Sequence, residues 1–448
     1  MATIHIVGAG LAGLSAAVEL ARAGAGTRLC IYEAANHAGG RCRSFHDATL
    51  QCEIDNGNHL ILGANSAIFA YLDAIGTRAG LIGPSEAVFP FVDLQSGTAW
   101  RLRPNAGRVP WWILDRRRRV PGSRPADYLA ALRLLAAGPG AAVSDCLDPD
   151  SLVFHRLWEP LTVAALNAAP REASARLMAR VVRDTFGAGG AACRPYIAAA
   201  GLSPVLVEPA LSLLQRQGAT IHFGARLRSI VGGPGAFVGA LGFAAGTVPV
   251  ADADDVILAL PPRGFAKVLP DVAVPEGSRA ILNVHYRLDG PLAAPDDAQV
   301  IGLIGATAHW IFLRRRILSV TVSAADALMD DPETRILPHI WQEVASALAI
   351  LGIARLEVAP PPGRVVKEKR ATFLQTPANM ARRPGPRTGF ANLFLAGDWT
   401  DTGLPATIES AVRSGAAAAR AALAERRAIV HKEPVSGSSR TLNSFSVS

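Results

Sequence analysis

The chain has 448 residues, half of them hydrophobic, and a formal net charge of +8, which excludes a disordered protein and is enough for two interleaved domains. Lysine occurs only at Lys267, Lys367, Lys369 and Lys432, which excludes a lysine-rich nucleic-acid tract. The five cysteines, Cys30, Cys42, Cys52, Cys146 and Cys193, form no CxxC pair, so neither a disulfide framework nor a metal site is expected and a reducing compartment is.

In chain order, an apolar run from Thr3 to Val7 leads into Gly8-Ala-Gly10-Leu-Ala-Gly13 and a small-residue helix beginning at Leu14, which Gly24 can end. A strand, turn and helix of this kind binds phosphate without lysine. Gly8 permits the tight turn, Gly10 lets the main chain approach a pyrophosphate, Gly13 lets helix pack on strand, and the helix N-terminus offers free amides. A second strand, Arg28 to Tyr32, ends in Glu33, twenty residues past Gly13, where a carboxylate can accept hydrogen bonds from an adenosine ribose. Gly39-Gly40-Arg41 then extends the motif.

Arg108 to Arg119 brings Trp111 and Trp112 together with Arg116, Arg117 and Arg118, a mixture that suits a lipid headgroup boundary. The other reading is a surface helix with buried tryptophans and a solvated charge run. No uninterrupted apolar stretch approaches the ~20 residues that span a bilayer, and the chain opens on a strand, so a cytoplasmic protein, at most peripheral on the inner face of the membrane, is expected. The middle shows helical pattern from Asp127 to Ala136, from Leu152 to Arg183 and from Val205 to Gln217, then strands near Thr220 to Phe223 and from Asp255. Near the end, Phe394 to Ala396 precedes Gly397-Asp398-Trp399-Thr400, and Pro405-Ala-Thr407-Ile408 opens a further helix. Residues 423–448 turn polar and Pro, Ser and Gly rich, and read as a disordered tail.

These motifs together resemble the large family of flavin amine oxidases and carotenoid desaturases. The resemblance implies an α/β fold and bound FAD: a Rossmann-like, GR2-type cofactor domain interleaved with a mixed-sheet plus helical substrate domain. The expected cofactor domain is residues 1–75, 200–265 and 385–422, and the substrate domain 76–199 and 266–384. The resemblance lays Gly40 and Arg41 along the pyrophosphate and flavin, Leu227 on the strand that passes the adenine, and Asp398, after Gly397, at the ribityl chain. The helix N-terminus at Thr407 and Ile408 then faces the flavin, where its dipole can stabilise negative charge.

Within the family, Asp55 to His59, Leu157-Trp158-Glu159-Pro160, His309-Trp310-Ile-Phe312, Glu368 to Phe373 and Gly397 to Gly415 resemble the bacterial hydroxysqualene dehydroxylases over roughly residues 3 to 422. One departure is Leu313-Arg314-Arg315-Arg316, where that branch leads one to expect an acidic residue, an arginine and a glycine. The implied reaction is the reductive loss of the hydroxyl from hydroxysqualene, the last step from farnesyl diphosphate to squalene for hopanoid biosynthesis. Protonation lets an allylic hydroxyl leave as water, and the delocalised cation takes hydride, so the protein must hold a long apolar chain and exclude bulk water. Trp158, His309, Trp310 and Phe312 are the expected pocket lining. His59 and Asp401 are the expected proton donors, although His59 can equally cap a carbonyl and Asp401 a turn. A membrane-surface contact and association with prenyl-transfer enzymes are the expected partners.

Three rivals remain from sequence. A polyene desaturase uses the same fold in the oxidative direction. A non-catalytic FAD protein docked beside prenyl-transfer enzymes needs no chemistry. An amine oxidase fits less well, because the strand Ala280 to Arg287 lacks the lysine such enzymes carry near the flavin.

Overall fold

Five parallel strands form the sheet that carries the glycine motif in the computed structural model, which describes residues 2–24, 26–232 and 237–432. Across the sheet they run Thr220–His222, Arg28–Tyr32, Thr3–Val7, Asp255–Leu258 and Leu393–Leu395. Side chains at Ile4, Ile6, Ile31, Ile257 and Phe394 are buried to 1 % or less, as expected of strands covered on both faces. The helix Leu11–Arg22 follows the first strand and lies against the final helix, Ile408–Lys432. The two approach so closely that a side chain at Gly415 would overlap the Ala12 carbonyl, and Ser15 Oγ donates to the Val412 carbonyl at 2.8 Å. The last helix continues to Lys432, so residues 423–432 are helical where a structureless tail is expected from composition. The remainder of that tail, 433–448, lies outside the described residues.

A second, seven-stranded sheet runs Gly363–Phe373, Ser278–Arg287, Ile317–Val322, Trp310–Arg314, Val300–Ile304, Phe89–Asp93 and Thr98–Leu102. Its pairings are antiparallel except Val300–Ile304 with Phe89–Asp93, so the sheet is mixed. The helix Glu333–Ile350 buries Ile340, Trp341 and Val344 in the core of this sheet. Short helices from residues 130–184 close a separate apolar cluster around Leu134, Phe154, Trp158 and Met178.

The helix expected from Leu152 to Arg183 is two helices. A wider π turn, Phe154–Trp158, runs into Glu159–Leu166, which ends at Asn167 with φ 50°, and a new helix begins at Ala175. Asn167 makes the break useful. Its amide donates to Thr372 Oγ1 at 3.1 Å and accepts from Ala324 N at 2.6 Å, tying the helix end to the seven-stranded sheet. The departure at Arg314 to Arg316 is a hairpin between Trp310–Arg314 and Ile317–Val322, with Arg315 at φ 55°. Arg314 turns inward to pair with the buried Asp55 at 2.6 Å, a structural ion pair.

Candidate active site

A single cavity of about 1540 Å³ runs from the glycine turn, between the two sheets, to the helices of residues 154–186. At one end its wall is main chain. Gly8 has φ 108°, open to glycine, and a Cβ at Gly13 would overlap the Gly8 carbonyl, so turn and helix close tightly on each other. A Cβ at Gly10, by contrast, would meet nothing within 4 Å, because that face of the turn opens on the cavity. Gly39 N donates to the Ala9 carbonyl at 2.8 Å, which sets Gly40 beside Gly10. The Glu33 carboxylate is oriented by the amides of Ala9 at 2.8 Å and Ala35 at 2.9 Å and lines the same end, with Arg226 and Leu227 next to it. This is a cradle with room for a dinucleotide, and its residues fit FAD.

Further along, Arg41 Nη2 pairs with Asp398 Oδ1 at 2.8 Å and Arg41 Nη1 donates to the Ala371 carbonyl. The loop that carries Asp398 is held by a buried arginine that sequence reasoning missed: Arg383 donates to the carbonyls of Asp398 at 3.2 Å, Thr400 at 3.1 Å and Leu404 at 2.8 Å. Thr407 and Ile408, at the start of the final helix, line the cavity beside them. Gly397 and Gly13 do not. Gly397 packs on the buried Trp399, and Gly13 on the glycine turn, so both support the wall from behind.

Beyond Arg41 the wall becomes apolar, with Leu60, Phe89, Phe91, Leu157, Leu161, Phe186, Trp310 and Phe312. Of the four expected pocket residues, Trp310 and Phe312 are here; Trp158 and His309 are not. Trp158 is turned into the helical cluster, and its neighbours Leu157 and Leu161 take the cavity side. His309 Nδ1 accepts from Ser323 N at 3.0 Å, just before the interior strand Trp310–Arg314. Asp401 is exposed, away from the cavity, and its Oδ1 accepts from Gly403 N at 3.1 Å, which makes it a turn residue and no proton donor.

His59 does line the cavity. Desolvation pushes its imidazole down to about 4, against a raising effect of Asp55 and a further lowering by Arg41. At neutral pH it therefore offers one N–H and one lone pair rather than a charged acid. Asn58, Asn283 and Thr321 stand next to it on the same wall. The available signal for Asn283 was a polar residue in the middle of an apolar strand, Ile281 to Tyr286.

A model of the flavin-containing amine oxidoreductase family matches residues 11–423. The hydroxysqualene dehydroxylase of Sinorhizobium fredii is 46% identical over 422 residues, 94% of this chain and 98% of that protein. A zeta-carotene desaturase of Arabidopsis thaliana is more distant, 22% identical over 92% of this chain and 83% of its own. Among solved structures, the cyclohexylamine oxidase of Brevibacterium oxydans superposes with a TM-score of 0.65 at 15% identity, covering 96% of this chain and 99% of that one, which establishes a shared fold.

Proposed function

The chain belongs to the flavin-containing amine oxidoreductase family and, within it, to the hydroxysqualene dehydroxylases, and from that premise we propose that it converts hydroxysqualene reductively to squalene with FAD. The observation that carries this reading is the continuity of one cavity, from a main-chain phosphate cradle to an apolar pocket floored by Trp310 and Phe312. FAD, when bound and reduced, supplies the hydride that replaces the hydroxyl.

The residues of this chain do the rest. Gly10, Gly40 and Glu33 hold the dinucleotide, and Arg41 with Asp398 fixes the middle of the cavity. Leu161, Phe186, Trp310 and Phe312 align the isoprenoid and keep bulk water from a cationic carbon. In this division residues 1–75, 200–265 and 385–422 carry the cofactor and 76–199 with 266–384 the substrate.

A membrane-surface contact completes the reading. Val109, Trp111 and Leu114 are exposed at 75, 48 and 68 %, with Arg108, Arg116 and Arg117 exposed around them. Leu129 and Leu132, exposed at 56 and 61 %, follow on the adjoining turn, which packs on this segment through Trp112 and Tyr128. Apolar side chains ringed by arginine suit an anionic bilayer surface. Trp112 stacks on Phe186, a cavity residue, so this surface lies one side chain from the apolar pocket. A water-insoluble alcohol made by a prenyl-transfer enzyme at the same bilayer would have a short path in. Among the described residues no helix is long and apolar enough to cross a membrane.

The test is anaerobic. Flavin reduced on the purified protein is mixed with hydroxysqualene, and flavin absorbance and squalene are followed together, the latter by mass spectrometry. Reoxidation with stoichiometric squalene is the expected result. Absence of reoxidation, with oxidised flavin instead reduced by a polyene, would make the chain a desaturase.

A further inference from the structure

Four polar side chains interrupt the apolar part of the cavity wall, and their hydrogen bonds leave room for one more partner. Asn283 sits on the strand Ser278–Arg287 and Thr321 opposite it on Ile317–Val322, in direct register. Asn58 and His59 reach them from the loop after Cys52–Asp55. Thr321 Oγ1 donates to Asn283 Oδ1 at 2.9 Å, and Asn58 Nδ2 donates to Thr321 Oγ1 at 3.1 Å. The Asn58 main-chain N–H donates to Asn283 Oδ1 at 3.3 Å, and Asn283 Nδ2 donates to the Asn56 carbonyl at 3.4 Å. Asn56 in turn donates through Nδ2 to the main-chain carbonyl of Arg41 at 3.3 Å, which sets the cluster against the middle of the cavity.

An asparagine amide has two donor hydrogens, and a neutral histidine one donor and one acceptor. The bonds above satisfy one hydrogen of Asn283 Nδ2. Its second hydrogen, the Asn58 Oδ1 and both ring nitrogens of His59 make no hydrogen bond to the described residues, and the half-buried Asn58 and His59 face the open cavity. Asn283 is 2 % exposed and Thr321 8 %, and the same wall continues as Ile281, Leu60 and Phe312. A wall that met only hydrocarbon would be better without such groups, since each buried polar atom wants its hydrogen bond.

We propose that Asn58, His59 and Asn283 hold the hydroxyl of the substrate, with Thr321 fixing the asparagine pair, and that this cluster sorts the alcohol from a hydrocarbon of the same length. The proposal rests on the dehydroxylation reading and adds the residues that recognise the leaving group. It also accounts for product release, because squalene has no oxygen to complete the cluster and should be held more weakly than its precursor.

The experiment measures equilibrium binding of hydroxysqualene and of squalene to the oxidised holoenzyme, in which no turnover occurs, by perturbation of the flavin spectrum. The wild type should bind the alcohol about tenfold more tightly, the gain of one or two neutral hydrogen bonds. Asn283→Leu and, with less disturbance of shape, Thr321→Val should bring that ratio towards one while leaving squalene affinity and FAD content unchanged. A ratio that survives in both variants, or a loss of affinity shared equally by alcohol and hydrocarbon, overturns the proposal and makes the cluster a structural clasp. Failure of the underlying reading looks different: the wild type would then form no squalene in the anaerobic assay, whatever its binding preference.

Discussion

At the nucleotide end of the cavity the wall is main chain drawn from a few short segments, whereas at the isoprenoid end it is side chain drawn from elements distant in the chain, such as those of Phe91 and Thr321. The first kind of wall binds by excluding side chains, so its geometry is unforgiving and its chemistry general. The second binds by shape and a few placed polar groups, so it accepts substitution and sets what is bound. The same molecule therefore has one end where a single methyl group decides whether the site exists, and another where a methyl group only tunes it.

Two glycines break this comparison most severely. Gly13→Ala places a Cβ on the Gly8 carbonyl, main chain against main chain, and neither can give way. The expected cost is roughly 3 kcal/mol or more of stability, seen as loss of soluble protein or a large fall in thermal midpoint. Gly10→Val points into open cavity and should leave the fold intact while the protein purifies colourless. A folded Gly10→Val protein that remained yellow would remove the phosphate from this turn.

The same contrast explains what could be read from the chain. The glycine turn and Glu33 are a local pattern whose spacing is fixed by one strand and one helix, and Gly397-Asp398 is a second short motif, legible by itself although its partner Arg41 lies far off in the chain. Trp158 and His309 failed for the opposite reason. Whether a residue beside a helix or strand points at a cavity depends on rotation of that element, which is set by its packing partners. On Trp310–Arg314 the alternation sends Trp310 and Phe312 to the cavity, but His309 precedes the strand and serves Ser323. The helix break at Asn167 was hidden because an asparagine at φ 50° pays its way only through contacts with Thr372 and Ala324, more than 150 residues away. The tryptophan pair could not be separated from sequence, because only packing decides that Trp112 is 4 % exposed against Tyr128 and Phe186 while Trp111 lies at the surface under Arg118.

A smaller effect tests the core that joins the two ends. His285 is fully buried between Ser319, whose Oγ lies 2.7 Å from Nδ1, and the Asp55–Arg314 pair. Burial pushes its imidazole down to about 4. The folded protein keeps this ring neutral, while the unfolded chain takes up a proton below about 6.5. Stability is thus fully present above that value and is lost as pH falls from about 6.5 towards 4, by an amount on the order of 3 kcal/mol. His59, also held down to about 4, acts in the same direction. Urea midpoints measured at pH 7.5 and 5 should fall steeply for the wild type and less for His285→Gln. Equal slopes for the two proteins would mean that His285 is protonated in the folded state.

The smallest expected effect concerns the surface beyond the isoprenoid end, where a few exposed side chains are asked to hold the protein on lipid. Trp111→Ser with Leu114→Ser removes two apolar contacts exposed at 48 and 68 % and leaves the buried Trp112 in place. Each side chain inserts only part of its area, so the pair should weaken co-sedimentation with anionic vesicles about tenfold, with flavin content and thermal midpoint unchanged. Vesicles of zwitterionic lipid should bind the wild type less well than anionic ones, because Arg108, Arg116 and Arg117 then lose their partners, and added salt should erase that difference. Changing Trp112 instead would be uninformative about lipid: its ring fills the space between Tyr128 and Phe186, and its loss would be read as instability. If the Trp111 and Leu114 double variant sediments with anionic vesicles as the wild type does, the isoprenoid must enter the cavity by a route other than this face.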